Sequence, residues 1–361
     1  MQLARAEWPL AISAVTVAIF VSIGDHLDSL LRVPLLLIVA FAWLFAIALW
    51  SCLRVVRHAD RVAEVTGQPY GTLVLTLSIT TVEVVSISAI MLHGQNNPPL
   101  VRDTLFSVVM IFLGGMAGLS LLLGGWRYKE QVYNLYGANA YLGVLLPLCV
   151  LTLTLPNFTH STAGPTLSFA QQIFLTLVSI GLYCSFLAIQ TGRHRGYFSV
   201  ADHPKAASAL APSLTRHSLL LAAYVVAVVL LAEELAHPID YLIETMHMPQ
   251  ELGGVIIAVI VATPEAISAI RSTLANQVQQ AVNAFLGSAL STIGLTVPAM
   301  LILSGLTGRA VYLGLTDAND VLLLLTLAVS VVTFASGRTN VLQGAVHVVL
   351  FGAFLLLIFE N

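Results

Sequence analysis

The sequence predicts an all-α, polytopic membrane protein of about eleven transmembrane helices. Three observations predict it. The chain of 361 residues is 58% hydrophobic but only 9% charged, against about 25% charged in a soluble domain. Its apolar residues fall into runs long enough to cross a bilayer. One helix-length pattern occurs twice, in segments that enter the membrane from opposite sides.

A hydrocarbon core of about 30 Å takes roughly 17–25 apolar residues per helix. Eleven runs qualify, at about 8–23, 33–55, 72–92, 103–125, 138–156, 168–190, 218–236, 252–272, 279–304, 319–336 and 341–359. The first is the shortest. It follows a single Arg, as a signal peptide would. No small-x-small cleavage pattern precedes Gly24-Asp25-His26, so it reads as a retained leading helix. Between the runs lie turn-rich polar stretches: GDHLDS, GQNNPP, PNFTHSTAGP and SGR. The longest gap, 191–217, is too short for a domain and reads as a hydrophilic loop. Cys52, Cys149 and Cys184 are far apart in apolar runs and read as packing residues.

If the eleven runs alternate, one side receives Arg5, Arg54, Arg57, Arg61, Arg127, Lys129, Arg193, Arg195, Lys205, Arg216, Arg271 and Arg338. The other receives only Arg32, Arg102 and Arg309. Positive residues stay inside. The N-terminus and the 191–217 loop are therefore expected in the cytoplasm, and the C-terminus outside. The net charge of −3 gives no footprint for nucleic acid.

GTLVLTLSITTVEVVSIS, from Gly71, aligns with GGVIIAVIVATPEAISAI, from Gly253. Glu83 then faces Glu265, Thr81 faces Thr263 and Ser86 faces Ser268. Both copies read T-x-E-x-x-S. Upstream, with a two-residue slip, Asp60, Glu64 and Pro69 parallel Asp240, Glu244 and Pro249. The chain therefore divides into a leading helix and outer loop (1–32), a five-helix repeat (33–190), the cytoplasmic loop (191–217) and a second five-helix repeat (218–361). Five is odd, so the copies are inverted, as in many transporters.

Only Glu83 and Glu265 sit deep in a run. Asp103, Asp320, Glu233 and Glu234 fall near helix ends, where water is expected to reach them. A charge at the bilayer centre costs at least about 2.5–3.5 kcal/mol, so two at equivalent positions imply a use; the bland reading is a protonated Glu bonding between helices. Thr80, Thr81 and Thr263 offer hydroxyl oxygens beside them, and Ser86 and Ser268 follow one turn on. The bland reading of these hydroxyls is a bond to their own backbone. Pro264 lacks an N–H, which should free the carbonyl of Ile260 and bend or interrupt the helix. Such an oxygen-rich set suits hard cations, Ca²⁺ above all. Low dielectric disfavours the ionised carboxylate, so an empty site holds protons and an entering cation displaces them. If only occupied states change sides, the outcome is antiport.

At these residues the chain resembles the cation/calcium exchanger superfamily, nearest the bacterial Cha-type calcium/proton antiporters, a branch also associated with sodium/proton and potassium/proton exchange. The stretches that carry the resemblance are SITTVEVVSISAI, RDTLFSVVMIFLGG, LGGVIIAVIVATPEAISAI, NQVQQAVNAFLGSALSTIGLTVP and SGRTNVLQGAVHVVLFGAFLLLIF. The resemblance implies that Glu83 and Glu265 bind cation and proton in turn. It also implies that the Gly287-Ser288-Ala289-Leu290 run, with Ser288, completes the cation site. The expected partners are inorganic cations, protons and lipid, with no cofactor and no nucleic acid, in the inner membrane. Two departures from the family pattern stand out. The G-N-A-x-E pattern is replaced by Ile79-Thr80-Thr81-Val82 and Val261-Ala262-Thr263-Pro264, which bears on selectivity for Ca²⁺ over Na⁺ and K⁺. The acidic loop of the relatives is also missing: 191–217 has Asp202 alone, with His194, His203 and His217, whose readings are pH sensing or plain solvated loop. Glu233, Glu234, Asp240, Glu244 and Glu251 form either a cation-attracting outer rim or a polar helix end. A G-x-G-D aspartyl pair and an H-E-x-x-H zinc pattern are both lacking, which argues against an intramembrane enzyme. Paired buried carboxylates on inverted repeats argue against a channel.

Overall fold

A computed structural model describes residues 7–24, 32–66, 70–92, 97–162, 164–198 and 213–360. Outside them lie Arg5, Pro69, Asp202, His203 and Lys205, and most of the 191–217 loop. The described residues form eleven long helices in the expected order: α1 Trp8–Ile23, α2 Pro34–Thr66, α3 Tyr70–Leu92, α4 Leu100–Tyr128, α5 Leu135–Phe158, α6 Phe169–Arg193, α7 Leu214–Thr245, α8 Glu251–Leu274, α9 Val278–Thr307, α10 Asp317–Phe334 and α11 Val341–Glu360. Nine are long and apolar enough to cross a membrane, and the shorter apolar stretches Trp8–Ile23 and Thr76–Leu92 complete the set.

Several helix starts follow from local chemistry. Asn134 caps α5 by accepting from the backbone N–H groups of Tyr136 and Gly137. Ser168 and Gln171 form a reciprocal capping box on α6, and Ser213 caps α7. Gly308 follows α9 at φ 70°, the left-handed conformation that ends a helix at least cost to glycine. Two features differ from the sequence expectation. Of the two outcomes expected at Pro264, a bend or an interruption, the interruption does not occur: α8 is one helix from Glu251 to Leu274. Neighbouring turns of an apolar helix keep their bonds when one donor is missing, because hydrocarbon offers no other partner. Pi-helical turns, which apolar periodicity does not reveal, occur in α4 (Met110–Met116) and α9 (Thr292–Thr296).

Packing groups the chain into two units. The first holds α1, α2, α3, α7 and α8 as far as Pro264; the second holds the rest of α8 with α4, α5, α6, α9, α10 and α11. In the first, α3 packs against both α2 and α7, and α2 lies along α7. Helix α1 docks on α2 through a buried Ser13–Ser51 hydroxyl pair at 2.8 Å and the Trp43 indole N–H to Thr16 Oγ1 at 3.2 Å. Trp8 meets Trp50 edge-on, with ring centres 4.5 Å apart.

The second unit is built around α4, whose best apolar window is 89% buried, against 28% for α11 and 22% for α6. Lipid tails are as apolar as Leu, so close backbone approach drives packing here. Gly114, Gly118 and Gly125 of α4 supply it along α11. A Cβ on Gly118 would stand 2.8 Å from the Val348 nitrogen, and one on Gly125 2.6 Å from that of Val341. Gly344 makes the reciprocal approach to Leu122. A two-residue antiparallel pair, β1 Gln131–Val132 with β2 Arg338–Thr339, ties the α4–α5 and α10–α11 connections. Gln131 also donates to the Thr273 carbonyl and Asn276 Oδ1, both at 3.0 Å. Cys52 and Cys149 are buried, Cys184 is exposed, and no disulfide joins them.

The seam predicts an asymmetry among glycines. Gly118→Val should lower the melting temperature in detergent by several degrees or abolish the monodisperse peak, since overpacking costs about 1–3 kcal/mol. Gly181→Ala, where a Cβ meets nothing within 4 Å, should be neutral or stabilising. Thermal scans with size-exclusion detection decide it, and equal effects would show that the seam carries no packing.

Candidate functional site

Helix α3 sorts its hydroxyls by face. Ser78, Thr81 and Ser88 each donate to the carbonyl four residues back, Val74, Leu77 and Val84, all at 2.6 Å. Thr81 is exposed. Thr80, Glu83 and Ser86, spaced one turn apart, share the opposite, buried face, at 5%, 1% and 3% exposure. Thr80 Oγ1 is buried with no hydrogen-bond partner among the described residues. Glu83 lies nine residues before Leu92 (92 less 83) and Glu265 nine before Leu274 (274 less 265). At 1.5 Å per residue each is about 13 Å from its helix end.

The second copy is not a replica. Ala262 holds the place of Thr80 and is buried. Thr263 donates to the Val259 carbonyl at 2.5 Å. Glu265 is half-buried and Ser268 exposed. A hydroxyl that donates to its backbone keeps its lone pairs, so Thr81 and Thr263 remain oxygen donors in kind. Ile260 is buried, and its carbonyl faces a Pro264 nitrogen that has no hydrogen to give. Ser288, on α9, is buried at 9% exposure, and its carbonyl accepts from Ser291 at 3.0 Å. Thr80, Thr81, Glu83, Ser86, Ile260 and Thr263 belong to the first packing unit; Glu265, Ser268 and Ser288 belong to the second. Among the described residues no three His, Cys, Asp or Glu side chains gather as a metal cage. A cation held at either carboxylate would complete its shell with hydroxyl and carbonyl oxygens.

Three acidic residues expected near water are buried: Asp103 at 3%, Asp320 at 7% and Glu234 at 8% exposure. Asp103 and Asp320 stand in the first turns of α4 and α10, where a carboxylate complements the helix dipole. Arg102 Nε donates to Asp103 Oδ1 at 2.7 Å, and its Nη1 to the Gly314 carbonyl at 3.3 Å. Thr154 donates to Asp320 Oδ1 at 2.6 Å. Sequence position marked these as helix ends. Burial of Asp103 and Asp320 involves distant segments, Gly314 against Arg102 and Thr154 against Asp320, and Glu234 is covered because α7 continues to Thr245, none of which hydropathy encodes. Two histidines were also missed. His347, fully buried, meets Thr333 Oγ1 at 3.0 Å, and His58, at 2% exposure, meets His217.

Eleven apolar helices with a carboxylate deep in each of two matching segments define a polytopic membrane protein of the ion-translocating kind. The chain belongs to the sodium/calcium exchanger protein family, whose model matches residues 36–192 and 217–360. It is 43% identical over 309 residues to the putative ionic transporter y4hA of Sinorhizobium fredii (strain NBRC 101917 / NGR234), covering 84% of this chain and 83% of that one. It is 38% identical over 316 residues to the sodium-potassium/proton antiporter ChaA of Escherichia coli (strain K12), covering 86% of each. Its fold is that of native YfkE, with a TM-score of 0.74 at 21% identity over 97% of this chain and all of that one.

Thr154 is expected to matter through Asp320. Thr154→Val leaves a buried carboxylate short of a donor and should cost about 1–3 kcal/mol. Thr154→Ser should stay near wild type. Thermal unfolding in detergent measures both, and a neutral Thr154→Val would show that water replaces the hydroxyl.

Proposed function

We propose that the chain is a secondary active antiporter of the bacterial inner membrane that exchanges a cation for protons. Glu83 carries the reading. A carboxylate at 1% exposure, about 13 Å inside an apolar helix, has a hydroxyl one turn before it and another one turn after. Low dielectric favours its protonated form. A cation that can lend charge and accept hydroxyl and carbonyl oxygens displaces the proton. Glu265 repeats the arrangement with fewer buried oxygens. Exchange follows if only the loaded forms change the side to which the carboxylates open. The first helix then begins in the cytoplasm, as the distribution of Lys and Arg requires.

Ca²⁺ is the favoured cation, because two carboxylates match a divalent charge and hard oxygen donors match its chemistry. Membership of the sodium/calcium exchanger protein family agrees. A second reading, exchange of Na⁺ or K⁺, is supported by the 38% identity to a sodium-potassium/proton antiporter and by the lack of Asn before either Glu.

Proteoliposomes loaded with a pH dye test this directly. CaCl₂, NaCl or KCl is added outside to wild type, Glu83→Gln and Glu265→Gln. Cation-driven proton movement in wild type and silence in both variants is expected, and the order of the three salts ranks the ions. Exchange by the variants at the wild-type rate would remove both glutamates from the site. Cation entry without proton counterflow would make the protein a channel or uniporter. Within the site, Thr80→Val should raise the half-saturating cation concentration several-fold while Thr81→Val changes it little. The reverse order would place the ligand face on the other side of α3.

A further inference from the structure

A connected polar cluster of the first packing unit lies away from Glu83, where α1, α2 and α7 meet. Glu7, just before α1, places Oε2 at 3.0 Å from the Tyr224 hydroxyl, which donates to it, and at 3.4 Å from His58 Nε2. Arg54 Nη1 stands 4.0 Å from the same oxygen. The other ring nitrogen of His58, Nδ1, lies 3.0 Å from Nδ1 of His217. The His58 ring also stacks on Tyr224 at 5.5 Å between centroids and 19° between planes. Both residues are buried, Tyr224 completely. One carboxylate, one phenol and two imidazoles thus join three helices.

The proton inventory of this cluster is constrained. The Glu7 carboxylate can only accept, so His58 carries its hydrogen on Nε2. The neutral His58 ring then accepts at Nδ1, and His217 donates from its own Nδ1. A first added proton goes to Nε2 of His217, the less buried ring, and leaves the bridge intact. A second would sit on His58 Nδ1 and set one N–H against another across 3.0 Å. The surrounding charges sharpen this limit. Facing His58 are Glu7, Arg54 and His217, and facing His217 are Arg216, Arg61, Glu7 and Arg57. Four arginines against one carboxylate make two imidazolium rings untenable at this spacing.

We infer that Glu7, His58, His217 and Tyr224 form a second proton-binding site, apart from the exchange carboxylates, which ties α1 to α2 and α7 while it holds at most one added proton and releases them when a second binds. Its ligand is H⁺ from the side of the membrane to which these helix ends open, the cytoplasm by the charge bias. Helices α2 and α7 are the two that α3 packs against in this unit, so release bears on the helix that carries Glu83. The device is independent of the Glu83 and Glu265 protonation that drives exchange. Histidine suits the task because its ordinary titration range spans physiological pH. Burial, aided by the neighbouring arginines and opposed by Glu7, lowers the pKa of both rings, so release falls on the acid side.

The test is a melting curve of the purified full-length protein in detergent, followed from about pH 8 to about pH 5, for wild type, His217→Asn, His58→Gln and Glu83→Gln. The bridge exists above the pH of second protonation and is lost below it, so wild type should lose about 2–4 °C across the step. His217→Asn keeps an N–H near the position of Nδ1 but cannot be protonated, and should shrink the step to about 1 °C or less. Glu83→Gln should keep it, which separates this site from the exchange site and makes the outcome independent of the antiport reading. If His217→Asn does not yield folded protein, His58→Gln gives the same comparison. Superimposable profiles of wild type and either histidine variant would overturn the inference, as would disappearance of the step in Glu83→Gln alone. In proteoliposomes with a fixed pH difference, the histidine variants should also lose the acid-side fall in cation-driven proton flux, and an unchanged fall would remove the link to transport.

Discussion

Hydrocarbon offers a peptide group no hydrogen-bond partner, and the rest of this molecule follows from that. Every backbone N–H and C=O at membrane depth must be satisfied from within its own segment, so the chain is helical almost throughout. The same rule governs side chains. Ser78, Thr81, Ser88, Thr104, Ser107, Ser185, Thr263, Ser272 and Ser330 all return their hydroxyl protons to the carbonyl four residues back. Thr80 does not follow it: with Ser120, Thr152, Ser179 and Thr296 it is a buried hydroxyl without a partner among the described residues, and it lies one turn from a buried carboxylate. In water such a residue would be unremarked. In an apolar helix it is an oxygen left available beside Glu83, which is what the proposed cation site needs.

Much of the fold was legible because it rests on one-dimensional facts. Apolar run length and polar punctuation located all eleven helices, mostly within a few residues of their ends. The exceptions are α2 and α7, which continue to Thr66 and Thr245 past their apolar runs because amphipathic turns beyond residues 55 and 236 pack as helix all the same. The depth of Glu83 was equally legible, since depth in a helix is a matter of counting. What was not legible depends on neighbours distant in sequence. Thr80 and Thr81 are adjacent letters of the same chemistry, and only the packing of α2 and α7 on α3 decides which is buried. Ser86 and Ser268 hold equivalent places, yet one is buried and the other exposed. Pro264 reads as a break, but an unbroken run of bonds on either side holds the helix through it.

The glycines of α4 and the polar pairs of α1 show two solutions to association without a hydrophobic driving force. The α4–α11 seam removes side chains so that dispersion acts between backbones. The α1–α2 contact uses a buried Ser13–Ser51 pair and an indole donor, for which lipid cannot substitute. A seam of the first kind tolerates almost no added volume. The second tolerates volume but not loss of polarity.

Helix α2 has 33 residues and so extends about 50 Å at 1.5 Å per residue, against hydrocarbon of about 30 Å. Its apolar run gives out near residue 55, and Arg57 and Arg61 follow one turn apart. Guanidinium groups at that height meet the phosphates of the headgroup layer. The overhang therefore gauges depth: it fixes where the first packing unit floats in the bilayer. A membrane thicker or thinner than the apolar run is met by lipid stretching or compressing around the helix, and the arginines stay at their level.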